Sequence, residues 1–229
     1  MSLDLADYKT KARSAVKTFW ISRKKAGTRK RARGDMDGFI DLITEIVHAN
    51  GLPEADIMRK SRGRILPGHF CPVKSWDLLV MNHGKLIAAI KFDAQVGPSF
   101  GKNANNCDQA ISLAVDLQAA YRRRTFGEYA RPFVGYLSLL EDSPASRAPI
   151  KDISPNFPLV PEYRNASYAK RHNILCKKLI MEGFYTAATV ILSSRSAAKN
   201  GVYSEMSDMT GLRPFAADLA GRVAMEAVM

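Results

Sequence analysis

The stretch Trp76–Ala94, WDLLVMNHGKLIAAIKFDA, reads as two strands joined by a tight turn. Trp76 to Met81 is a short apolar run and Asn82-His83-Gly84 supplies turn residues. From Lys85 to Ala94, Leu86, Ala88, Ile90 and Phe92 alternate with Ile87, Ala89, Lys91 and Asp93. Apolar runs split by such a turn predict a β-hairpin. Three charges stand in this hairpin where charge is costly: Asp77 near the start of the first strand, and Lys91 and Asp93 on the second. Lys91 and Asp93 are two residues apart, so their side chains share a face. A carboxylate on one strand facing a carboxylate and a lysine on the next is an arrangement that binds a divalent cation. Mg²⁺ takes few carboxylates and keeps several waters, leaving room for a phosphate oxygen. Its charge stabilises a pentacovalent phosphorane and activates the attacking water. The pattern expects Asp77 and Asp93 as metal ligands and Lys91 as the group that orients or deprotonates that water. The same charges also suit strand ends that face solvent, and spacing alone leaves both readings open.

Outward from the hairpin, helical and strand periods alternate. Residues 3 to 25 predict a helix with Leu5, Tyr8, Ala12, Ala15, Val16 and Phe19 on one face, ended by Gly27. A second helix starts after Gly34, capped by Asp35 or Asp37, buries Phe39, Ile40, Ile43, Ile46 and Val47, and stops at Asn50-Gly51. Gly97 to Asn106 predicts a loop, about Asp108 to Arg124 a helix, and Phe133 to Leu140 a buried strand. Residues 141–166 hold five prolines and read as a long surface connection. Ser167 caps a helix ending near Gly183, Tyr185 to Leu192 is a buried strand, 193–211 a polar loop, and Arg213 to Met225 a closing helix. The expectation is one α/β domain over 1–229, with a mixed sheet built on the hairpin and flanked by helices.

The chain has 229 residues, 46% apolar, with 34 Lys+Arg against 22 Asp+Glu and a net charge of +12. Extended disorder does not fit that apolar content. No apolar run approaches the roughly 20 residues that span a bilayer, and MSLDLADYKTKAR lacks the pattern of a signal peptide. Three widely spaced cysteines without a C-x-x-C pair argue against a disulfide framework or structural zinc, so a reducing cytoplasm is expected and no membrane partner. The four histidines form no H-x-x-x-H pair, and no G-x-S-x-G elbow or P-loop occurs. The surplus positive charge is clustered. Seven of the eleven residues Arg23 to Arg33 are basic, within an expected basic loop over 23–35. Further groups stand at Arg59, Lys60, Arg62 and Arg64, at Arg122–Arg124, and at Lys170–Arg171 with Lys177–Lys178. Arginine forks suit phosphate, and several spread groups predict a folded groove for nucleic acid.

The segments SLDLADY (2–8), MDGF (36–39), ANGL (49–52), SWDLLVMN (75–82), QVGPSFG (95–101), RPFVGYL (131–137), SPNFP (154–158), RSAA (195–198) and YSE (203–205) resemble the XhoI-type type II restriction endonucleases, in the same order and over essentially the whole chain. The resemblance implies a PD-(D/E)xK nuclease fold and a homodimeric, Mg²⁺-dependent enzyme that cuts double-stranded DNA at the palindrome CTCGAG. It also implies a cognate methyltransferase that shares the site. One departure stands out: where the family reads E-F-K, this chain reads Lys91-Phe92-Asp93. The metal-binding glutamate position holds a lysine, and the catalytic lysine position an aspartate. Three outcomes follow. The swapped site works through Asp77, Asp93 and Lys91; or the chain is an inactive relative that binds DNA without cutting; or Glu45, on the second helix, restores a second carboxylate. Because their loop follows the catalytic strand, Lys102, Asn103, Asn105 and Asn106 are expected DNA contacts, as are Arg195 and Lys199 in the late polar loop. Asparagine to adenine is the bidentate pairing that such readers use.

Overall fold

The computed structural model describes residues 3–5, 7–26, 35–97 and 105–229. Its centre is a six-stranded mixed sheet in the order β1 (Asp56–Met58), β4 (Leu78–Asn82), β5 (Lys85–Gln95), β6 (Phe133–Glu141), β7 (Ala187–Ser193) and β8 (Ser204–Glu205). A separate two-stranded ribbon pairs β2 (Ile65–Pro67) with β3 (Val73–Ser75). The expected hairpin is β4–β5, paired antiparallel from Leu78↔Ile90 to Asn82↔Lys85 with a bulge at Val80/Met81. Its two-residue turn needs positive φ at both positions, and His83 (φ 46°) and Gly84 (φ 78°) supply it.

Beyond the hairpin, β5 runs parallel to β6 and β6 parallel to β7. Parallel neighbours need crossover connections, and two helices provide them: α3 (Asn105–Arg122) between β5 and β6, and α5 (Tyr168–Met181) between β6 and β7. Strand alternation then sorts the core into two layers. Leu78, Ala88, Ile90, Phe92, Leu137 and Ile191 pack with α1 (Tyr8–Ala26), α2 (Asp37–Ala49) and α7 (Leu212–Ala227). Leu79, Ala89, Tyr136, Leu140 and Val190 face the other way, against Leu113 and Leu117 of α3 and Cys176 and Leu179 of α5. The result is the mixed α/β single-domain architecture that the PD-(D/E)xK resemblance implies, a sheet flanked by helices on both faces.

Several boundaries differ from the sequence reading. Helix α1 begins at Tyr8 and carries the basic residues Arg23, Lys24 and Lys25 in its last turn, so the start of the expected 23–35 loop is helical; residues 27–34 lie outside the described part. Neither Asp35 nor Asp37 caps α2. Met36 holds the cap position with no side-chain hydrogen bond, Asp37 is the first helical residue, and Asp35 turns back to Arg23, with Oδ2 2.9 Å from Nε. Gly51 does end α2, at φ +111°, where an added Cβ would stand 2.6 Å from Ala227 Cβ. The connection 141–166 holds the end of β6, the short helix α4 (Pro144–Arg147) and a 3₁₀ turn (Pro161–Tyr163), and the expected polar loop 193–211 contains α6 (Ala197–Asn200) and β8. Elements of two to four residues fall below the length at which periodicity can be read. Among the described residues, no helix is long and apolar enough to cross a membrane.

Candidate functional site

Asp77 stands one residue before β4, whose first residue Leu78 pairs with Ile90, and so comes beside Lys91 on the neighbouring strand. Asp77 N donates at 3.2 Å to the O of Ile90, the residue that pairs with Leu78. The Asp77 side chain then folds over its neighbour strand: Oδ2 accepts from Phe92 N at 2.9 Å and stands 2.7 Å from Lys91 Nζ. Side-chain exposure is 12% for Lys91 and 22% for Asp77, so the ion pair is shielded yet open at one edge.

Arg64 completes this edge. Its Nη1 donates to Asp77 O at 3.1 Å and lies 3.8 Å from Oδ1. The contact arises because β2 pairs with β3 from Ile65↔Ser75 to Pro67↔Val73, which folds the 3₁₀ turn Ser61–Arg64 back beside Trp76; Trp76 N donates to Arg64 O at 2.9 Å. The sequence places Arg64 in a basic group but carries no signal for its partner. The ribbon that brings residue 64 to residue 77 is made of three-residue strands.

Asp93 shares the face of Lys91 but sits deeper, at 5% exposure. Its Oδ2 accepts from Gln95 Nε2 at 3.2 Å, Tyr136 OH at 3.3 Å and Ser138 Oγ at 3.4 Å. The register explains the set: Lys91 is beside Tyr136 and Asp93 beside Ser138 on the parallel strand β6. Burial, reinforced by Asp93, holds the Tyr136 phenol well above its ordinary pKa of 10, so it remains a donor to the carboxylate. On α5, His172 is buried with Nδ1 lacking a hydrogen-bond partner among the described residues. Burial lowers its pKa, and Asp93 opposes that shift.

These placements decide whether a divalent cation fits between Asp77 and Asp93. Mg²⁺ holds oxygen at about 2.0–2.1 Å. A cation on Asp77 Oδ2 would therefore stand against an ammonium that is itself 2.7 Å from that oxygen. The other expected ligand is spoken for by three neutral donors in the sheet. Among the described residues, no group of three or more His, Cys, Asp or Glu side chains is placed to hold a metal ion. As arranged, Asp77, Lys91 and Asp93 do not form a two-carboxylate cation site. Glu45 does not supply a replacement. It is an exposed residue of α2 paired with Lys11 of α1, in a cleft lined by Asp4, Tyr8 and Leu42 rather than by the hairpin.

At the far end of β5, Gly97 and Arg195 meet on one carboxylate. Gly97 N donates to Glu141 Oε2 at 2.7 Å, and Arg195 Nε donates to Glu141 Oε1 at 2.7 Å. Glu141, at the end of β6, thus ties the start of the 97–106 segment to the Arg195 loop. Arg195 keeps 68% of its side chain exposed while making this pair, and Lys199 is exposed on α6. Lys102 and Asn103 lie outside the described residues. Asn105 and Asn106 open α3, and their side chains also lie outside the description.

Comparison with known proteins gives one consistent signal. A family model described as restriction endonuclease XhoI matches residues 22–205. The type II restriction enzyme XhoI of Xanthomonas vasicola is 42% identical over 198 residues, covering 80% of each chain. The type II restriction enzyme AbrI of Azospirillum brasilense is 48% identical over 171 residues, 69% of this chain and 77% of its own. The type II restriction enzyme BstVI of Geobacillus stearothermophilus is 36% identical over 216 residues, 91% of this chain and 96% of its own. No solved structure matches.

Proposed function

The chain belongs to the restriction endonuclease XhoI family, and from that premise we propose that it is a type II site-specific deoxyribonuclease acting on double-stranded DNA. The finer reading is hydrolysis of a backbone phosphodiester at a CTCGAG-like palindrome, with Mg²⁺, in the cytoplasm, by a homodimer whose two-fold axis matches that of its site. The observation that carries it is the placement of Asp77 and Lys91 face to face at the open edge of a β4–β5 hairpin in a chain related to those enzymes along most of its length.

In this reading the scissile phosphodiester lies against Asp77 and Lys91. Lys91 orients the attacking water and offsets charge as it builds on the phosphorus oxygens. Asp93 serves from beneath, holding Tyr136, Ser138 and Gln95 in one network that fixes the β5–β6 step. The family's divalent cation and the Lys91 ammonium compete for the same Asp77 oxygen, so Mg²⁺ belongs to this reading with the ion pair open. Arg195, Lys199, Lys102, Asn103, Asn105 and Asn106 are the proposed contacts to bases or phosphates. A methyltransferase modifying the same palindrome is the partner that would protect host DNA without needing to touch this chain.

A second reading keeps the Lys91–Asp77 pair closed, at 2.7 Å, so that the chain grips its palindrome and does not cut. One experiment separates the two. A plasmid with a single CTCGAG site is incubated with the protein in Mg²⁺ and in EDTA, beside the Lys91→Glu/Asp93→Lys double variant. Linearisation by the unmodified chain in Mg²⁺ supports the nuclease. Linearisation by the double variant alone supports the non-cutting binder. If neither protein cuts or prefers the palindrome over a scrambled duplex, both readings are lost.

A further inference from the structure

We propose that Arg64 and Lys91 together seat a backbone phosphate of duplex DNA at Asp77 without any divalent cation. The inference rests on the duplex-DNA reading above and names the charges that meet the phosphate. Two cationic side chains flank one carboxylate: Lys91 Nζ 2.7 Å from Oδ2, and Arg64 Nη1 3.8 Å from Oδ1. At the exposed edge Arg64, Lys91 and Asp77 sum to one positive charge, while the other carboxylate of the trio, Asp93, is buried beneath among Tyr136, Ser138 and Gln95. With Lys91 beside Asp77 and the second carboxylate, Asp93, sunk to 5% exposure, the side chains left at the edge are set for an anion rather than a cation.

The donors remain available. Arg64 uses Nη1 on the Asp77 carbonyl and keeps 26% of its side chain exposed. An ammonium has three N–H donors, and Asp77 is the one ion-pair partner of Lys91 among the described residues. A phosphodiester has two non-bridging oxygens, and a guanidinium with an ammonium beside it offers charge-assisted donors to both. Approach is open as well. Lys60 and Arg62, which precede Arg64 in the chain, are exposed and add positive charge to this segment.

The test is equilibrium binding of the full chain to a short fluorescent duplex in EDTA over a salt series, using the palindrome and a scrambled sequence. Removing one cation that neutralises a phosphate reduces the log–log salt slope by about 1. Arg64→Gln and Lys91→Gln are each expected to lower the slope by about that amount and to weaken both duplexes alike. Arg64→Lys is expected to keep the slope. The unmodified chain should bind equally in EDTA and in Mg²⁺ at matched ionic strength. Slopes unchanged in both glutamine variants overturn the proposal, as does binding that tightens about tenfold on adding Mg²⁺. Should Arg64→Gln fail to fold, Lys91→Gln carries the test, because Lys91 holds no backbone group. The proposed function fails separately: a chain without preference for the palindrome contradicts that function, yet the slopes on scrambled duplex still read the phosphate seat.

Discussion

Lys91 Nζ stands 2.7 Å from Asp77 Oδ2 because the β4–β5 hairpin brings the two residues side by side, and Phe92 N fixes the same carboxylate oxygen at 2.9 Å. A carboxylate so held is aimed at its partner before any ligand arrives. The pair therefore acts as a preset charge arrangement at the edge of the sheet, with Arg64 as its third member.

Asp77→Asn keeps an acceptor for Phe92 N and removes the negative charge. Cleavage by this chain, or by the double-swap variant if only that one cuts, should fall by about 10²–10³-fold or more, the scale of losing one electrostatic group at a reacting centre. Duplex affinity should hold or rise, since a negative charge facing phosphate is gone. Gel-shift and plasmid assays run side by side check both halves; simultaneous loss of binding and cleavage would make Asp77 a structural residue.

Asp116 of α3 is 2% exposed and accepts from His69 N and Phe70 N, each at 2.9 Å, pinning the turn between β2 and β3. Asp116→Asn replaces one acceptor with an N–H facing an N–H. The expected cost is about 2 kcal/mol, or a Tm lower by roughly 4–8 °C for a chain of this size. Thermal unfolding followed by circular dichroism measures it. Because that ribbon places Arg64, the variant should also weaken duplex binding.

His172 gives a pH dependence of definite sign. Burial lowers its folded pKa below the ordinary 6.5. Once the pH drops below that ordinary value the unfolded chain binds more protons than the folded one, so stability is full above it and declines as the medium acidifies, by at most about 1.4 kcal/mol per pH unit. His172→Phe should flatten the fall in Tm between about pH 7.5 and about pH 5.5. A slope identical to that of the unmodified chain would remove His172 from the account.

The three cysteines differ in access. Cys71 is exposed, Cys107 half-buried, and Cys176 fully buried with its thiol pushed up by burial and by Asp93. Thiolate is the reactive form. Iodoacetamide on the native protein should label Cys71 first, Cys107 slowly and Cys176 only after denaturation, as read by peptide mass spectrometry. Early labelling of Cys176 would mean that α5 opens from the sheet.

The hairpin is legible in the sequence because its signals are local. Alternation from Lys85 to Ala94 and the two-residue turn at His83-Gly84 act within about twenty residues, and the same period places Lys91 and Asp93 on one face. Clustered arginines and the ordered family segments point to DNA for a similar reason, since composition and collinearity require no three-dimensional contact. The cap of α2 escapes local reading because Asp35 has a distant partner, Arg23, that outcompetes the helix N-terminus. Glu45 escapes it for a related reason: helical period says which side of α2 is polar but not that this side meets Lys11 of α1.

By itself, then, the chain's order of residues determined a hairpin-based mixed sheet, its charged trio and an anionic partner. Tertiary structure decided where the trio's side chains lie. Parallel pairing with β6 sinks Asp93 among Tyr136, Ser138 and Gln95, and a ribbon of three-residue strands delivers Arg64 to Asp77. Both depend on strand pairings across sequence gaps, fixed by packing of whole layers rather than by any local preference. In the folded chain the edge that spacing marked for a cation therefore carries two positive side chains around one carboxylate.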